Sequence, residues 1–156
     1  MTSLPIPLLP ATRQFADGID QSPCDGCDEC GTRCTAGIRI LQAEFEQIQD
    51  YLATQPAAEA ARVVTQEKRQ PIPGTDETYV ACRFRDVERR RCAIYPARPL
   101  ICRLFGHAEW LPCPIGKVEQ VASGAVEIMR LYATEPRKTY EEWLEEAPQQ
   151  RAPSRY

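Results

Sequence analysis

Half of the chain's 8 cysteines lie in one short segment, CDGCDECGTRC, which runs from Cys24 to Cys34. The residues between them are aspartate, glutamate, glycine, threonine and arginine, which do not build an apolar core. A loop whose sulfurs converge on one centre has to turn tightly, and Gly26 and Gly31 permit the backbone angles that this requires. The segment therefore predicts a thiolate ligand loop rather than a group of buried free cysteines.

The remaining cysteines recur at intervals of ten, ten and eleven residues. All eight are predicted metal ligands: Cys24, Cys27, Cys30, Cys34, Cys82, Cys92, Cys102 and Cys113. We refer to the first four as the early cysteines and to the last four as the late cysteines. A CxxC redox pair is the competing interpretation of the early cysteines, but no strand-then-helix pattern of a thioredoxin-like unit surrounds them.

The early cysteines have the spacing C-x2-C-x2-C-x3-C of bacterial ferredoxin ligands, with Thr35 in place of the usual proline. Sites made only of thiolates suit iron–sulfur clusters and zinc alike. The predicted cofactor is an iron–sulfur cluster of the 4Fe–4S type, or zinc. Sequence order does not decide between one site and two, because the fourth cysteine of such a run ligates the other cluster in two-cluster ferredoxins.

The ends and the charge of the chain predict its surroundings. The first twenty residues lack a basic export-signal region, and Pro5, Pro7 and Pro10 interrupt their apolar part. We therefore expect a cytoplasmic protein, in a compartment where structural disulfides are rare. A formal net charge of −3 gives no indication of nucleic-acid binding, and no apolar run is long enough to predict a membrane span.

Hydrophobic periodicity predicts a small, mainly helical α+β domain with one short β-hairpin, organised around the cysteine-ligated site or sites. Helices are expected over 36–53, 57–69 and 118–132, with a last helix that begins at Thr139 and has Glu142 in a capping box. Trp143 and Leu144 should pack in the interior. TYVACRF and RCAIY should form the hairpin, near residues 78 to 95, and a short helical turn should end at Gly106. The predicted organisation is an extended arm over 1–20, a single cysteine-cluster domain over 21–147 and a tail over 148–156.

Residues 82–106, CRFRDVERRRCAIYPARPLICRLFG, contain the most specific motif of the chain. The pattern C-x-I-Y-x-x-R-P-x-x-C-R-x-F is matched by Cys92, Ile94, Tyr95, Arg98, Pro99, Cys102, Arg103 and Phe105. With the early cysteines and Cys82 and Cys113, this resembles the YkgJ family of zinc- or iron-chelating cysteine-cluster proteins over about residues 24 to 113. The resemblance implies metal or iron–sulfur binding, without a defined reaction. Family members commonly have an adjacent Cys-Cys pair, whereas three residues separate Cys30 from Cys34 here.

Two arginines and the only histidine are further candidates near the thiols. Arg98 and Arg103 are close in sequence to predicted ligands, and we expect them either to donate hydrogen bonds to sulfur or to loop carbonyls, or to form simple surface ion pairs. Arg85, Arg89 and Arg90 should belong to a solvated charged hairpin, and Tyr95 should be a packed aromatic. His107 is expected to be a surface or partly packed residue rather than a ligand, because eight thiols already suffice.

These observations predict a metal- or iron–sulfur-binding protein that works in electron transfer, redox sensing, or cluster or metal handling with a protein partner. The alternative is a zinc-stapled interaction domain without redox chemistry. No catalytic residues are predicted, since no Ser/His/Asp arrangement, phosphate loop or dinucleotide fingerprint is present. The early and late cysteines should lie close together, and Cys82, Cys92 and Cys102 should share a centre with Cys113 or with an early cysteine.

Overall fold

The computed structural model describes residues 8–119 and 121–150, and within them the chain forms six α-helices and eight short strands. The helices are α1 Leu8–Asp17, α2 Gln42–Ala53, α3 Ala57–Val64, α4 Leu100–Arg103, α5 Ala125–Tyr132 and α6 Tyr140–Gln150. The strands are β1 Arg39–Leu41, β2 Arg69–Pro71, β3 Thr78–Val80, β4 Arg85–Asp86, β5 Arg91–Cys92, β6 His107–Ala108, β7 Leu111–Pro112 and β8 Arg137–Thr139. The predicted class, a small α+β domain that is mainly helical, is confirmed.

The strands pair in four separate antiparallel ribbons, β1 with β8, β2 with β3, β4 with β5 and β6 with β7. The single predicted hairpin is wrong in detail, because TYVACRF does not form one strand. Its first residues form β3, which pairs back to β2. The strand that pairs forward to β5 is β4, which begins at Arg85, immediately after TYVACRF. The break falls at Cys82, whose amide donates to the carbonyl of Cys34 at 2.9 Å instead of continuing a ladder.

The predicted extended arm is helical where the structure describes it, since α1 covers Leu8–Asp17. Pro10 lies in the first turn of α1, where a missing amide hydrogen costs nothing. Ala11, Phe15 and Ile19 recur every four residues and pack on the core beside α4 and α5. Residues 1–7 of that prediction, and residues 151–156 of the predicted tail, lie outside the described residues, whereas α6 extends to Gln150.

Two predicted helices begin later than expected. The helix expected from residue 36 begins at Gln42, because Arg39–Leu41 pairs with Arg137–Thr139 as a strand. The helix expected from residue 118 begins at Ala125, because Gly124 has a left-handed φ of 86° that a helix cannot include. The last helix follows the prediction closely, as the Thr139 amide donates to the Glu142 carboxylate at 3.1 Å and the Glu142 amide to the Thr139 hydroxyl at 3.2 Å.

The buried apolar side chains form two clusters. The first joins α1, α4 and α5 and contains Ala16, Leu41, Leu100, Leu104, Ala108, Ala125, Ile128 and Tyr132. The second lies between α2, α6 and the β4–β5 ribbon and contains Ile40, Phe45, Ile48, Phe84, Ile94, Tyr140 and Trp143. Trp143 is buried as predicted, but Leu144 is 40% exposed and is not a core residue.

Glu44 connects the helices around the first cluster. Its carboxylate is 3% exposed and accepts hydrogen bonds from the Leu41 amide at 3.0 Å, the Leu100 amide at 2.7 Å and the Tyr132 hydroxyl. Burial raises the pKa of Glu44 above its usual range, although these three donors oppose the rise. Because Leu100 is the first residue of α4, Glu44 fixes the start of the helix that carries Cys102.

Candidate metal centre

The early cysteines lie on a chain of tight turns, as their spacing predicted. Cys24 ends one 3-10 turn, and Cys30 and Cys34 flank a second that covers Gly31–Arg33. Backbone amides close these turns, from Cys27 to the Cys24 carbonyl at 3.0 Å and from Cys34 to the Gly31 carbonyl at 3.1 Å. None of the eight cysteines forms a disulfide, and Cys27 alone among them is exposed.

Arg85 anchors this loop to the β4–β5 ribbon, which corrects the expectation that Arg85 is solvated. The residue is 8% exposed. Its guanidinium makes two contacts with the Asp28 carboxylate, from Nη1 to Oδ1 at 2.7 Å and from Nη2 to Oδ2 at 2.9 Å. Arg90 is exposed, as expected, and adds a contact to Asp28 at 3.0 Å. Gly31 has ordinary backbone angles but no room for a side chain, since an added Cβ would lie 2.6 Å from Arg85 Nη2.

Cys34 lies beside Cys82 rather than with the other early cysteines. The backbones are joined by the Cys82 amide, which donates to the Cys34 carbonyl at 2.9 Å, and by a β-bridge between Thr35 and Ala81. The two thiols are hydrogen-bonded to each other, so the pKa of Cys34 is raised and that of Cys82 is lowered. The backbone contacts place Cys34 and Cys82 next to each other.

Cys92 and Cys102 approach the same pair from the β4–β5 ribbon and from α4. Burial raises the pKa of Cys92 to about 11 and that of Cys102 well above its usual value, and the Cys82 thiol adds to both rises. Cys34, Cys92 and Cys102 all line one cleft of about 460 Å³. Cys24, Cys27 and Cys30 line that cleft as well, so the early and late cysteines lie close together.

Cys113 and His107 approach Cys24 from the other direction. His107 Nε2 lies 3.1 Å from Cys24 Sγ, and β6 places His107 opposite Pro112, the neighbour of Cys113. His107 is 3% exposed, so the expectation of a surface or partly packed residue is wrong. Burial and then Arg98 lower its pKa, which favours the neutral imidazole. Nothing in the sequence around His107 indicated the contact with Cys24, which is distant along the chain.

Three late cysteines share a local feature. The sulfur of each accepts a hydrogen bond from the backbone amide of the residue two positions toward the C-terminus. The donors are Phe84 for Cys82, Ile94 for Cys92 and Ile115 for Cys113. Cys113 also accepts from other amides, including Lys117 at 3.3 Å, and these bonds lower its pKa. Amide donors stabilise a thiolate over a thiol, and thiolates are the form that binds metals.

A family model described as "CxxCxxCC: Putative zinc- or iron-chelating domain" matches residues 23–142. The chain belongs to this family. The match includes all eight cysteines and confirms the resemblance to YkgJ-type proteins. No curated protein and no solved structure matches the chain. In the described part of the chain, no helix is both long enough and apolar enough to cross a membrane.

Within this zinc- or iron-chelating domain, Arg98 faces thiols of both sets. Its positive charge lowers the pKa of Cys24, Cys92 and Cys102 against the effect of their burial. The guanidinium stacks 3.7 Å from the centre of the Tyr95 ring, and Tyr95 is 39% exposed rather than packed in the interior. Arg98 is therefore positioned to balance thiolate charge.

Arg103 has a different environment. It donates to the carbonyls of Arg98 and Pro96, both at 3.1 Å, and pairs with Asp17 of α1 at 3.0 Å. These bonds hold the proline-rich turn between Cys92 and Cys102 and join it to the N-terminal helix.

Arg89, expected to be solvated, is half exposed and pairs with Glu59 at 2.8 Å.

The donor set fits a soft metal or an iron–sulfur cluster. Eight unpaired sulfurs, amide donors to three of them and a nearby guanidinium match what thiolate centres require. Among residues 8–119 and 121–150, no three cysteine, histidine, aspartate or glutamate side chains already form a group that could hold a metal ion. The thiols are neighbours in the fold, and their assignment as ligands is a prediction.

Proposed function

We propose that this domain binds iron through its cysteine thiolates as iron–sulfur clusters and works with a partner protein in electron transfer, redox sensing or cluster handling. The observation that carries the proposal is the gathering of unpaired thiols from both cysteine sets around one cleft. Packing alone does not require this, because the cleft is also lined by charged residues such as Asp28 and Arg91.

Iron–sulfur binding is favoured over a zinc staple by the spacing of the early cysteines, which is that of bacterial ferredoxin ligands. When bound, such a cluster supplies one-electron redox chemistry. The chain's own contribution is to hold the thiolates, to donate amide hydrogen bonds to Cys82, Cys92 and Cys113, and to balance negative charge with Arg98.

The expected partner is a protein with an acidic surface. The rim of the cleft includes Arg90 and Arg91, which are exposed, and Cys27 is the exposed thiol of the same cleft. A partner that docks there would reach a bound cluster at its most accessible edge, and opposite charge would speed the encounter.

Anaerobic purification followed by iron, sulfide and zinc analysis tests the proposal. We expect brown protein that contains iron and acid-labile sulfide, with visible absorption that bleaches on reduction. Cys92→Ser should reduce both iron and absorbance, whereas Trp110→Phe, at an exposed position, should change neither. Colourless protein with stoichiometric zinc under the same conditions would establish the zinc-stapled alternative instead.

A further inference from the structure

The fold separates the early cysteines into two neighbourhoods. Cys34 is fixed to Cys82 by the backbone hydrogen bond of 2.9 Å and by the adjoining Thr35–Ala81 bridge. Cys92 lies opposite Arg85 in the β4–β5 register, and the Arg85 amide in turn bonds to the Cys82 carbonyl at 2.9 Å. Backbone contacts thus bring Cys34 into the late-cysteine ribbon.

The other early cysteines face Cys113. The contact of 3.1 Å between Cys24 and His107 attaches their loop to the β6–β7 ribbon, which ends immediately before Cys113. The Cys27 amide donates to the Cys24 carbonyl at 3.0 Å, so Cys27 stays beside Cys24. Cys30 lines the same cleft as these two residues.

We propose two thiolate centres that exchange one cysteine relative to sequence order: an outer centre of Cys24, Cys27, Cys30 and Cys113, and an inner centre of Cys34, Cys82, Cys92 and Cys102. The inference rests on the proposed thiolate binding of metal, and it assigns the ligands of each centre. The same exchange is known for ferredoxin-type runs, whose fourth cysteine belongs to the other cluster.

The two centres have different surroundings. Cys82 and Cys92 of the inner centre pack against the second apolar cluster, beside Phe84 and Ile94. The outer centre is built from turns and contains Cys27, the exposed thiol. Water and competing ligands reach an exposed thiolate more easily, so the outer centre should lose its metal first.

Graded metal removal from the wild-type protein tests this assignment without any substitution. The reduced, metal-loaded chain is treated with increasing chelator, then with N-ethylmaleimide, and modified cysteines are identified by mass spectrometry. We expect Cys24, Cys27, Cys30 and Cys113 to become modified together and first. Cys34 should remain protected until Cys82, Cys92 and Cys102 react. Modification of Cys34 together with Cys27 while Cys113 stays protected would overturn the assignment.

Paired substitutions provide a second test by metal analysis. Cys34→Ser combined with Cys92→Ser should remove about half of the bound metal, as either change does alone, because both lie in one centre. Cys34→Ser combined with Cys27→Ser should remove nearly all of it, whereas grouping by sequence order predicts the loss of one centre. Circular dichroism identifies any variant that does not fold, and the modification experiment then decides.

Different results would contradict the proposed function and the two-centre assignment. If wild-type protein holds no metal and all eight thiols react without chelator, the proposed function is wrong. If metal is bound but protection is lost in another grouping, or from all eight cysteines in one step, the proposed function stands and the two-centre assignment is wrong.

Discussion

Gly31 shows at the scale of one residue how an ion pair shapes the cysteine loop. The sequence predicted that Gly31 is needed for its backbone freedom, yet the φ of Gly31 lies outside the left-handed region, which Gly26 adopts with φ 73°. What Gly31 supplies is space, since a Cβ would lie 2.6 Å from Arg85 Nη2 and 3.0 Å from Asp28 Oδ1. The loop closes around the Asp28–Arg85 pair, which is largely buried and joins the loop to the β4–β5 ribbon.

Gly31→Ala should destabilise the protein by about 1–2 kcal/mol, because the added methyl displaces the Arg85 guanidinium from a packed position. The cost should largely disappear in an Arg85→Ala background, which removes the obstructing group. Urea unfolding of the four proteins in this cycle measures the coupling.

Gly26→Ala is the matched control. It should also cost about 1 kcal/mol, through left-handed strain, but equally with and without Arg85, because no atom of the residues that the structure describes lies within 4 Å of its Cβ position. If Gly31→Ala costs the same in both backgrounds as well, the space argument is incorrect.

At the scale of elements, Asp86 joins α3 to the ribbon that carries Cys92. It is 1% exposed, and its carboxylate accepts hydrogen bonds from Arg62 on α3, from Gln66 at 3.0 Å and from the Arg89 amide at 3.1 Å. Burial alone would raise the pKa of Asp86, but these donors outweigh it and hold the pKa well below its usual range. The charged form is therefore part of the folded structure.

Asp86→Asn should lower the free energy of unfolding by about 2 kcal/mol at pH 7, because Arg62 loses its buried partner. A depressed folded-state pKa stabilises the fold at pH values above the unfolded pKa of about 4, and this stability is lost as the pH falls further. The difference between variant and wild type should therefore shrink between pH 5 and the lowest pH that permits refolding. Urea unfolding at each pH measures this difference in the free energy of unfolding. Loss of metal at low pH affects both proteins alike and does not change the difference.

Glu88→Gln provides the control for Asp86→Asn. Glu88 also contacts Arg62, at 2.9 Å, but its side chain is 68% exposed, so the change should cost less than about 0.5 kcal/mol. Equal costs for Asp86→Asn and Glu88→Gln would contradict the burial argument.

At the scale of the whole molecule, the predicted ligands extend from Cys24 to Cys113 and adjoin the second apolar cluster through Cys82 and Cys92. Metal binding and folding should therefore be coupled, since each centre joins segments that are distant along the chain. The first cluster is held by Glu44 and by α1, α4 and α5, and no cysteine is among the side chains of the described residues that pack against it. The two halves of the core should respond unequally to metal loss.

Removal of metal should lower the melting temperature by about 10 °C or more. Trp143 lies in the second cluster and is 6% exposed, whereas Trp110 is 44% exposed. In a Trp110→Phe background, chelation should shift the Trp143 emission to longer wavelength, and reconstitution should reverse the shift. Unchanged melting, circular dichroism and emission after complete metal loss would show that the cysteines are not structural ligands.

The local features could be predicted from the amino-acid sequence: the eight free thiols, the tight turns of CDGCDECGTRC, the family motif over 82–106 and the Thr139–Glu142 cap. Each depends on residues a few positions apart, where spacing and turn chemistry decide the geometry. The three-dimensional fold was needed to show which thiols are neighbours. Cys34 meets Cys82 through a β-bridge, and His107 meets Cys24 from a distant ribbon. Such pairings depend on how buried surfaces pack, which no local pattern encodes. For the same reason the sequence predicted that Arg85 is solvated, whereas the fold buries it.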